Sequence, residues 1–276
     1  MTLEKFTLNN ELVLITGGGG LLGRQHAEAI AEIGGVPVVL DIAKTKAAET
    51  ATYLKKVCTS EVFYYKVDIT DEEALNRVLG EIKKDAGRTP YGLINNAGID
   101  PKFDQDSGKT PKSRLENFPL EQWNKEIRVS LAGAFLCSKI FGTEMCKHGR
   151  GVIINISSDL GIIAPDQRIY KKEGVPEDMQ DVKPVTYSVI KHGIIGLTKY
   201  LATYWANCGI RCNALAPGGA FNNHSDEFIE KLTSHIPLGR MARIDEYKSA
   251  IQFLVSDASS YMTGQTLILD GGRSIW

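Results

Sequence analysis

Three features of the sequence predict an α/β fold: a single doubly wound domain with a seven-stranded parallel sheet and helices on both faces. Seven short apolar, β-branched runs recur along the 276 residues. Stretches of helical length separate them. A glycine-rich turn stands directly after the first run and before the first of those stretches. Runs with so little polar alternation suit strands covered on both faces. Strand–helix alternation implies parallel pairing through right-handed crossovers.

The elements follow in order. The expected strands are Leu12–Thr16, Val36–Leu40, Val62–Val67, Gly92–Asn95, Val152–Ile156, Ile210–Leu215 and Thr266–Leu269. The expected helices include Leu21–Ile33, Asp71–Lys84, Leu120–Cys146, Val185–Ala206 and Asp245–Leu254. The run Thr70-Asp71-Glu72-Glu73 puts a capping residue and acids where a helix start leaves backbone N–H groups unpaired. No repeat, low-complexity tract or linker interrupts the series, so residues 1–276 read as one domain. Two stretches break the alternation, at about 99–119 and 161–184. Loops this long inside a compact domain are usually functional or disordered. Both follow the C-terminal ends of strands, where open α/β sheets bind ligands.

Composition narrows the function. Lys plus Arg is 32 and Asp plus Glu is 33, a net charge of −1. That balance argues against nucleic-acid binding through a basic surface and against a polybasic membrane dock. The N-terminus lacks a basic region followed by an apolar stretch, so it does not read as a signal peptide. No run approaches the ~18 apolar residues of a membrane span. Five cysteines without a C-x-x-C pair read as buried, reduced thiols of a cytoplasmic protein. His26, His148 and His235 have no partners at metal-ligand spacing, so no metal site is expected.

The glycine turn reads Thr16-Gly17-Gly18-Gly19-Gly20-Leu21-Leu22-Gly23. Glycine allows positive φ and close backbone approach to a pyrophosphate, and the helix start offers free N–H groups to the anion. Gly17, Gly20, Leu22 and Gly23 are the expected cradle. Asp41 ends the second strand 18 residues beyond Gly23, where an acid binds the adenosine ribose hydroxyls of a Rossmann-type dinucleotide site. A carboxylate there repels a 2′-phosphate, so NAD is expected over NADP. No Gly-Lys-Ser/Thr follows, which excludes the Walker phosphate loop.

Tyr187 and Lys191 stand four apart in a helical stretch and share a face. A nearby cation favours phenolate, and a tyrosine so shifted can exchange the proton of an alcohol. Further motifs accompany the pair: Asn95-Asn96-Ala97-Gly98 after the fourth strand, Ile156-Ser157-Ser158 after the fifth, Pro217-Gly218 after the sixth and Asp270-Gly271-Gly272 after the last. This set, in this order, resembles the short-chain dehydrogenase/reductase family over nearly the whole chain.

The resemblance implies roles. Tyr187 is the acid/base. Lys191 binds the nicotinamide ribose and lowers the tyrosine pKa. Ser158 hydrogen-bonds the substrate oxygen. Asp68 and Ile69 flank the adenine, and Asn95, with Ala97 and Gly98, supports the cofactor riboses. Pro217, Gly218 and Ala220 belong to the segment that holds the carboxamide, and Asn222 stands where a Thr is usual. Ser130 occupies the position of an Asn that completes the proton relay, which leaves the relay open. The helices Leu120–Cys146 and Val185–Ala206 resemble those that pair subunits in a homotetramer or homodimer. The glycine spacing differs from the usual pattern and is similar to that of relatives acting on nucleotide sugars.

The two long loops carry Asp100, Lys102 and Asp104, and then Asp166, Gln167, Arg168, Tyr170, Lys171 and Lys172; Asn222, Asn223 and His224 follow Gly218. If they face the cleft, the substrate is polar and sugar-like; if not, they are solvated loop surface. The Gly-Leu-Leu-Gly turn and the APDQRIY segment also resemble oxidoreductases of bacterial surface-glycan and flagellin modification. The leading expectation is NAD(H)-dependent interconversion of a secondary alcohol and a ketone. The alternatives are a weakly catalytic NAD-binding helper, suggested by Ser130, and a sugar-nucleotide dehydratase or epimerase, suggested by the glycine spacing.

Overall fold

The computed structural model describes residues 2–99 and 111–276. Seven parallel strands form one sheet in the order β3-β2-β1-β4-β5-β6-β7. They are β1 (Leu12–Thr16), β2 (Val36–Asp41), β3 (Phe63–Lys66), β4 (Gly92–Asn95), β5 (Gly151–Ile156), β6 (Ile210–Pro217) and β7 (Thr266–Leu269). The helices are α1 (Leu21–Glu32), α2 (Lys44–Val57), α3 (Glu72–Ala86), α4 (Leu120–Lys147), α5 (Val185–Tyr204), α6 (Asp226–Thr233) and α7 (Lys248–Val255). The strand order reverses direction between β1 and β4, so a crevice opens at the carboxyl ends of these strands.

Successive strand residues point to opposite faces, and each face has its own core. Val13, Ile15, Val39, Ile94 and Ile154 pack against α1, α2 and α7. Leu12, Leu14, Val38, Leu40, Leu93 and Ile153 pack against α3, α4 and α5. The central strands are wholly buried, as their unbroken apolar runs require. The edge strands β3 and β7 are half-exposed, because each has a neighbour on one side only.

The local signals hold where they were strongest. The Asp71 carboxylate accepts from the Ala74 amide at 3.0 Å and caps α3. The last helix begins at Lys248, later than expected, and α2 and α6 join the expected set. The long helix α4 carries two π-helical turns, Arg128–Ala132 and Ser138–Gly142. By length and composition α4 is apolar enough to cross a membrane, yet 56% of its apolar window is buried, and it places Cys137, Phe141 and Met145 in the core.

One expectation is corrected. Cys146, at the end of α4, is disulfide-bonded to Cys208, just after α5, with Cα atoms 5.1 Å apart. Cys58, Cys137 and Cys212 are the free thiols. The bonded pair is separated by 62 residues, and only the packing of α4 beside α5 brings the two together.

The stretch 161–184 is built rather than loose. Short 3₁₀ turns at Gln167–Tyr170 and Glu177–Met179 fold it against α6 through Ile169, Leu232, Ile236 and Met241. Buried Gln180 pins its centre, donating to the carbonyls of Val175 and Lys172 at 2.6 and 2.9 Å.

Candidate active site

A cleft of about 690 Å³ lies at the carboxyl ends of β1, β2 and β4. Gly17, Gly20 and Leu22 line one end together with Asp41, Asp68 and Ile69; Ala97, Gly98, Ser130, Tyr187 and Lys191 line the other. The sheet makes this possible: β1 and β4 are neighbours, so the turns after them form one floor.

The glycine end is tightly built. Gly17 has φ +61°, a conformation that favours glycine. A Cβ at Gly23 would stand 2.2 Å from the Gly17 carbonyl oxygen, so the turn and α1 pack as only glycine allows. The Asp41 carboxylate accepts from the amides of Gly19 (3.0 Å) and Ala43 (2.9 Å), which holds it at the cleft wall. The Asp68 carboxylate accepts from both the amide and the hydroxyl of Thr70 at 2.8 Å. Arg24 lies on α1 with its guanidinium 3.6 Å from the centre of the Tyr53 ring.

Sequence reasoning missed two residues that join the turns. Thr16 Oγ1 accepts from the amides of Asn96 and Ala97, both at 3.1 Å. Asn96 Nδ2 donates to the carbonyls of Thr16 (3.0 Å) and Gly17 (3.2 Å). The expectation for the Asn95 side chain is revised accordingly. It points into the core and donates to Ser138 Oγ at 2.9 Å and Asn155 Oδ1 at 2.8 Å, whereas Asn96 lines the cleft. Strand parity is the signal for this: Asn95 lies beside Asn155 in the sheet, so the next residue faces the crevice.

At the other end, Lys191 Nζ donates to the Ile156 carbonyl at 3.0 Å. Its ammonium is 5.6 Å from the Tyr187 ring centre, the proximity expected from the i, i+4 spacing. Ser157 Oγ donates to the Lys191 carbonyl at 2.8 Å and ties the end of β5 to α5. Ser130 sits in the first π-helical turn of α4, and its hydroxyl accepts from the Ile99 amide at 3.0 Å. Ser158 is buried two residues beyond the carboxyl end of β5. Its hydroxyl donates to Asp159 Oδ1 at 2.7 Å, and Asp159 also receives Arg273 Nη1 at 2.7 Å.

The remaining expected cofactor residues stand at and after the carboxyl end of β6. Gly218 lines a separate cavity of about 200 Å³, its carbonyl accepting from the Tyr247 hydroxyl at 2.9 Å. Ala220 bridges to Ala242, and the Asn222 amide donates to His224 Nδ1 at 3.3 Å. Pro217 ends β6 beside Leu269. Asp100, Lys102 and Asp104 fall outside the described residues. The charged residues of the second loop pair locally: Arg168 with Asp166, Lys171 with Glu177, Lys172 with Asp181. The Arg168 guanidinium holds the Asp166 carboxyl well below the usual range.

The donor set fits a dinucleotide. The close-packed glycine turn leaves the start of α1 open to an anion, and Asp41 and Asp68 offer acceptors on the same wall. Among the described residues no cluster of metal ligands occurs.

Comparisons with known proteins agree with this geometry. Residues 11–170 match the short chain dehydrogenase family model, and residues 177–274 match the model described as Enoyl-(Acyl carrier protein) reductase. The chain is similar to an NAD-dependent glycerol dehydrogenase of Listeria innocua, with 31% identity over 99% of this chain and 97% of that protein. It is similar to a galactitol 2-dehydrogenase of Rhizobium johnstonii, with 32% identity over 99% of this chain and 98% of that one. The crystal structure of a gluconate 5-dehydrogenase from Burkholderia cenocepacia J2315, in complex with NADP and tartrate, superposes with a TM-score of 0.84 at 28% identity, covering 100% of both chains. With more than half of its length matching one family model, and whole-length relatives above 30% identity, the chain belongs to the short-chain dehydrogenase/reductase family.

Proposed function

We propose that the protein is an NAD(H)-dependent oxidoreductase interconverting a secondary alcohol and a ketone on a small polyol or sugar-derived substrate. The observation that carries this is the single cleft joining the glycine turn and Asp41 to Tyr187 and Lys191. Nicotinamide, when bound, supplies the hydride chemistry. The chain's own part is binding, orientation and proton exchange. The glycine turn and the start of α1 hold the pyrophosphate, and Asp41 takes the adenosine ribose. Tyr187 would accept the alcohol proton at its phenolate oxygen during oxidation and return it from the hydroxyl so formed during reduction, with the Lys191 ammonium favouring the phenolate.

NAD is the cofactor this reading favours, because the Asp41 carboxylate meets a 2′-phosphate with like charge and Arg24 is stacked on Tyr53. Lys46, also on the cleft wall, is the cation that opposes this preference. The substrate class rests on the polyol and sugar dehydrogenases among the relatives. A role in surface-glycan synthesis is the narrower form of the proposal. Exposed Leu120 and Phe135 on α4, with Val189, Tyr200 and Tyr204 on α5, support pairing of these helices in a homodimer or homotetramer.

Ser130 favours a second reading, a cofactor-binding helper with little turnover, because its hydroxyl is already bonded to the Ile99 amide. One experiment separates the readings. Reduced-cofactor absorbance is followed with NAD and NADP across polyols, sugars, sugar acids, nucleotide sugars and apolar alcohols. Turnover of polyols or sugars with NAD is expected, and Tyr187→Phe should lower it by about 10²- to 10⁴-fold while NADH binding persists. Activity confined to apolar alcohols overturns the substrate class. NADH binding without turnover of any alcohol supports the helper.

A further inference from the structure

We propose that Lys183 is a second cation acting on Tyr187, positioned by Gln167, and that it favours the Tyr187 phenolate. The inference rests on Tyr187 being the acid/base of the proposed function. Lys183 Nζ stands 3.8 Å from the centre of the Tyr187 ring, closer than Lys191 Nζ at 5.6 Å. The two ammonium groups come from opposite sides of Tyr187 along the chain. Lys191 follows Tyr187 by one helical turn, and Lys183 lies in the segment that leads into α5.

The backbone of Lys183 is held on both sides by one side chain. Gln167 Oε1 accepts from the Lys183 amide at 2.8 Å, and Gln167 Nε2 donates to the Lys183 carbonyl at 3.3 Å. Gln167 begins a 3₁₀ turn whose start is capped by Asp166, which accepts from the Arg168 amide at 2.9 Å. On the far side Pro184 is buried at the N-cap of α5, and Thr186 Oγ1 donates to buried Glu126 of α4. The long stretch 161–184 therefore delivers a lysine to the face of the tyrosine.

A cation over an aromatic face is attracted by the ring's electron density. The attraction grows when the ring belongs to a phenolate, whose charge spreads onto the ring carbons. Lys183 thus acts in the same direction as Lys191. Elements packed against α5 carry further charged groups: Arg128, Lys139 and Glu144 on α4 and Arg211 on β6, with Lys199 on α5 itself. From α4, Lys125 lines the cleft and Glu126 accepts from Thr186 and Gln122. From the turn after β5, Asp159 is paired with Arg273. On α5 itself, exposed His192 pairs its Nδ1 with the Ser188 carbonyl.

The test is a tyrosinate absorbance titration, reading Tyr187 as the difference between each protein and its Tyr187→Phe counterpart. Lys183→Met should move the Tyr187 midpoint up by about one pH unit. Lys183→Arg should restore it, and Gln167→Ala should give an intermediate shift. Superimposable titrations of wild type and Lys183→Met, or a downward shift, overturn the proposal. Sugar turnover without a titration shift leaves the function standing and removes Lys183. A titration shift without turnover of any alcohol removes the function and leaves Lys183 standing.

Discussion

His26 shows how a single residue can set the pH response of the whole fold. It lies on α1 with 1% of its surface exposed, and neither ring nitrogen has a hydrogen-bond partner among the described residues. Burial lowers its pKa to about 4. The folded protein therefore keeps it neutral while the unfolded chain protonates it below about 6.5. Stability falls as pH drops from about 6.5 to 4, by roughly 3 kcal/mol in total. Denaturant unfolding at several pH values checks this; His26→Leu should remove most of that slope. Gly23 gives a second prediction at this scale. Gly23→Ala puts a Cβ against the Gly17 carbonyl, so the turn must shift, and NADH affinity should fall by roughly tenfold or more in a binding titration. The Gly23 constraint was legible in the motif. The orientation of Asn95 was not read, although its parity in β4 contains it.

At the scale of elements, α4 is the informative case. Its length and apolar content were legible, and its two π-helical turns were not. Nothing in the run Arg128–Ala132 breaks helix propensity, and the extra residue in the turn is apparent only in the folded backbone. The carboxylate of Glu144, in the last stretch of α4, is held by Lys83 of α3 and by Lys147 at 2.9 Å. The Lys83 hydrogen bond, then that from Lys147, lowers its pKa to about 2. This pair therefore stabilises the fold above about pH 4.5, and the contribution is lost as pH falls toward 2. Glu144→Gln should cost about 1–2 kcal/mol at neutral pH and converge with wild type in acid, as read by denaturant midpoints. Exposed Lys83 keeps the effect below that of breaking a fully buried pair. The boundaries of α7 shifted for a related reason: Arg240 and Arg243 pair with Glu246 and close the preceding turn before the helix begins.

At the scale of the whole molecule, the Cys146–Cys208 bond ties the ends of α4 and α5 together. Closing a loop of 62 residues is worth at most about 4 kcal/mol through the unfolded chain. Thiol titration of the unfolded, unreduced protein should count three free thiols, rising to five after reduction. Cys146→Ser with Cys208→Ser should lower the unfolding midpoint and leave NADH binding unchanged, because the bond lies by the amino ends of β5 and β6, whereas the cleft lies at the carboxyl ends of the strands.

Local patterns determined a great deal. Unbroken β-branched runs, the glycine turn and the Tyr187–Lys191 spacing are short-range signals, and from them followed the parallel sheet, the turn at the cleft and the proximity of Tyr187 and Lys191. Contacts between distant residues were decided only by the tertiary structure. It turned Asn95 into the core and Asn96 into the cleft, and it joined Cys146 to Cys208. It tied Asp159 to Arg273 and brought Lys183 over Tyr187 through Gln167, 16 residues earlier. The reason is physical. Backbone periodicity and turn sterics act over a few residues and leave a mark in sequence, whereas side-chain pairing across elements depends on packing that assembles them from far along the chain.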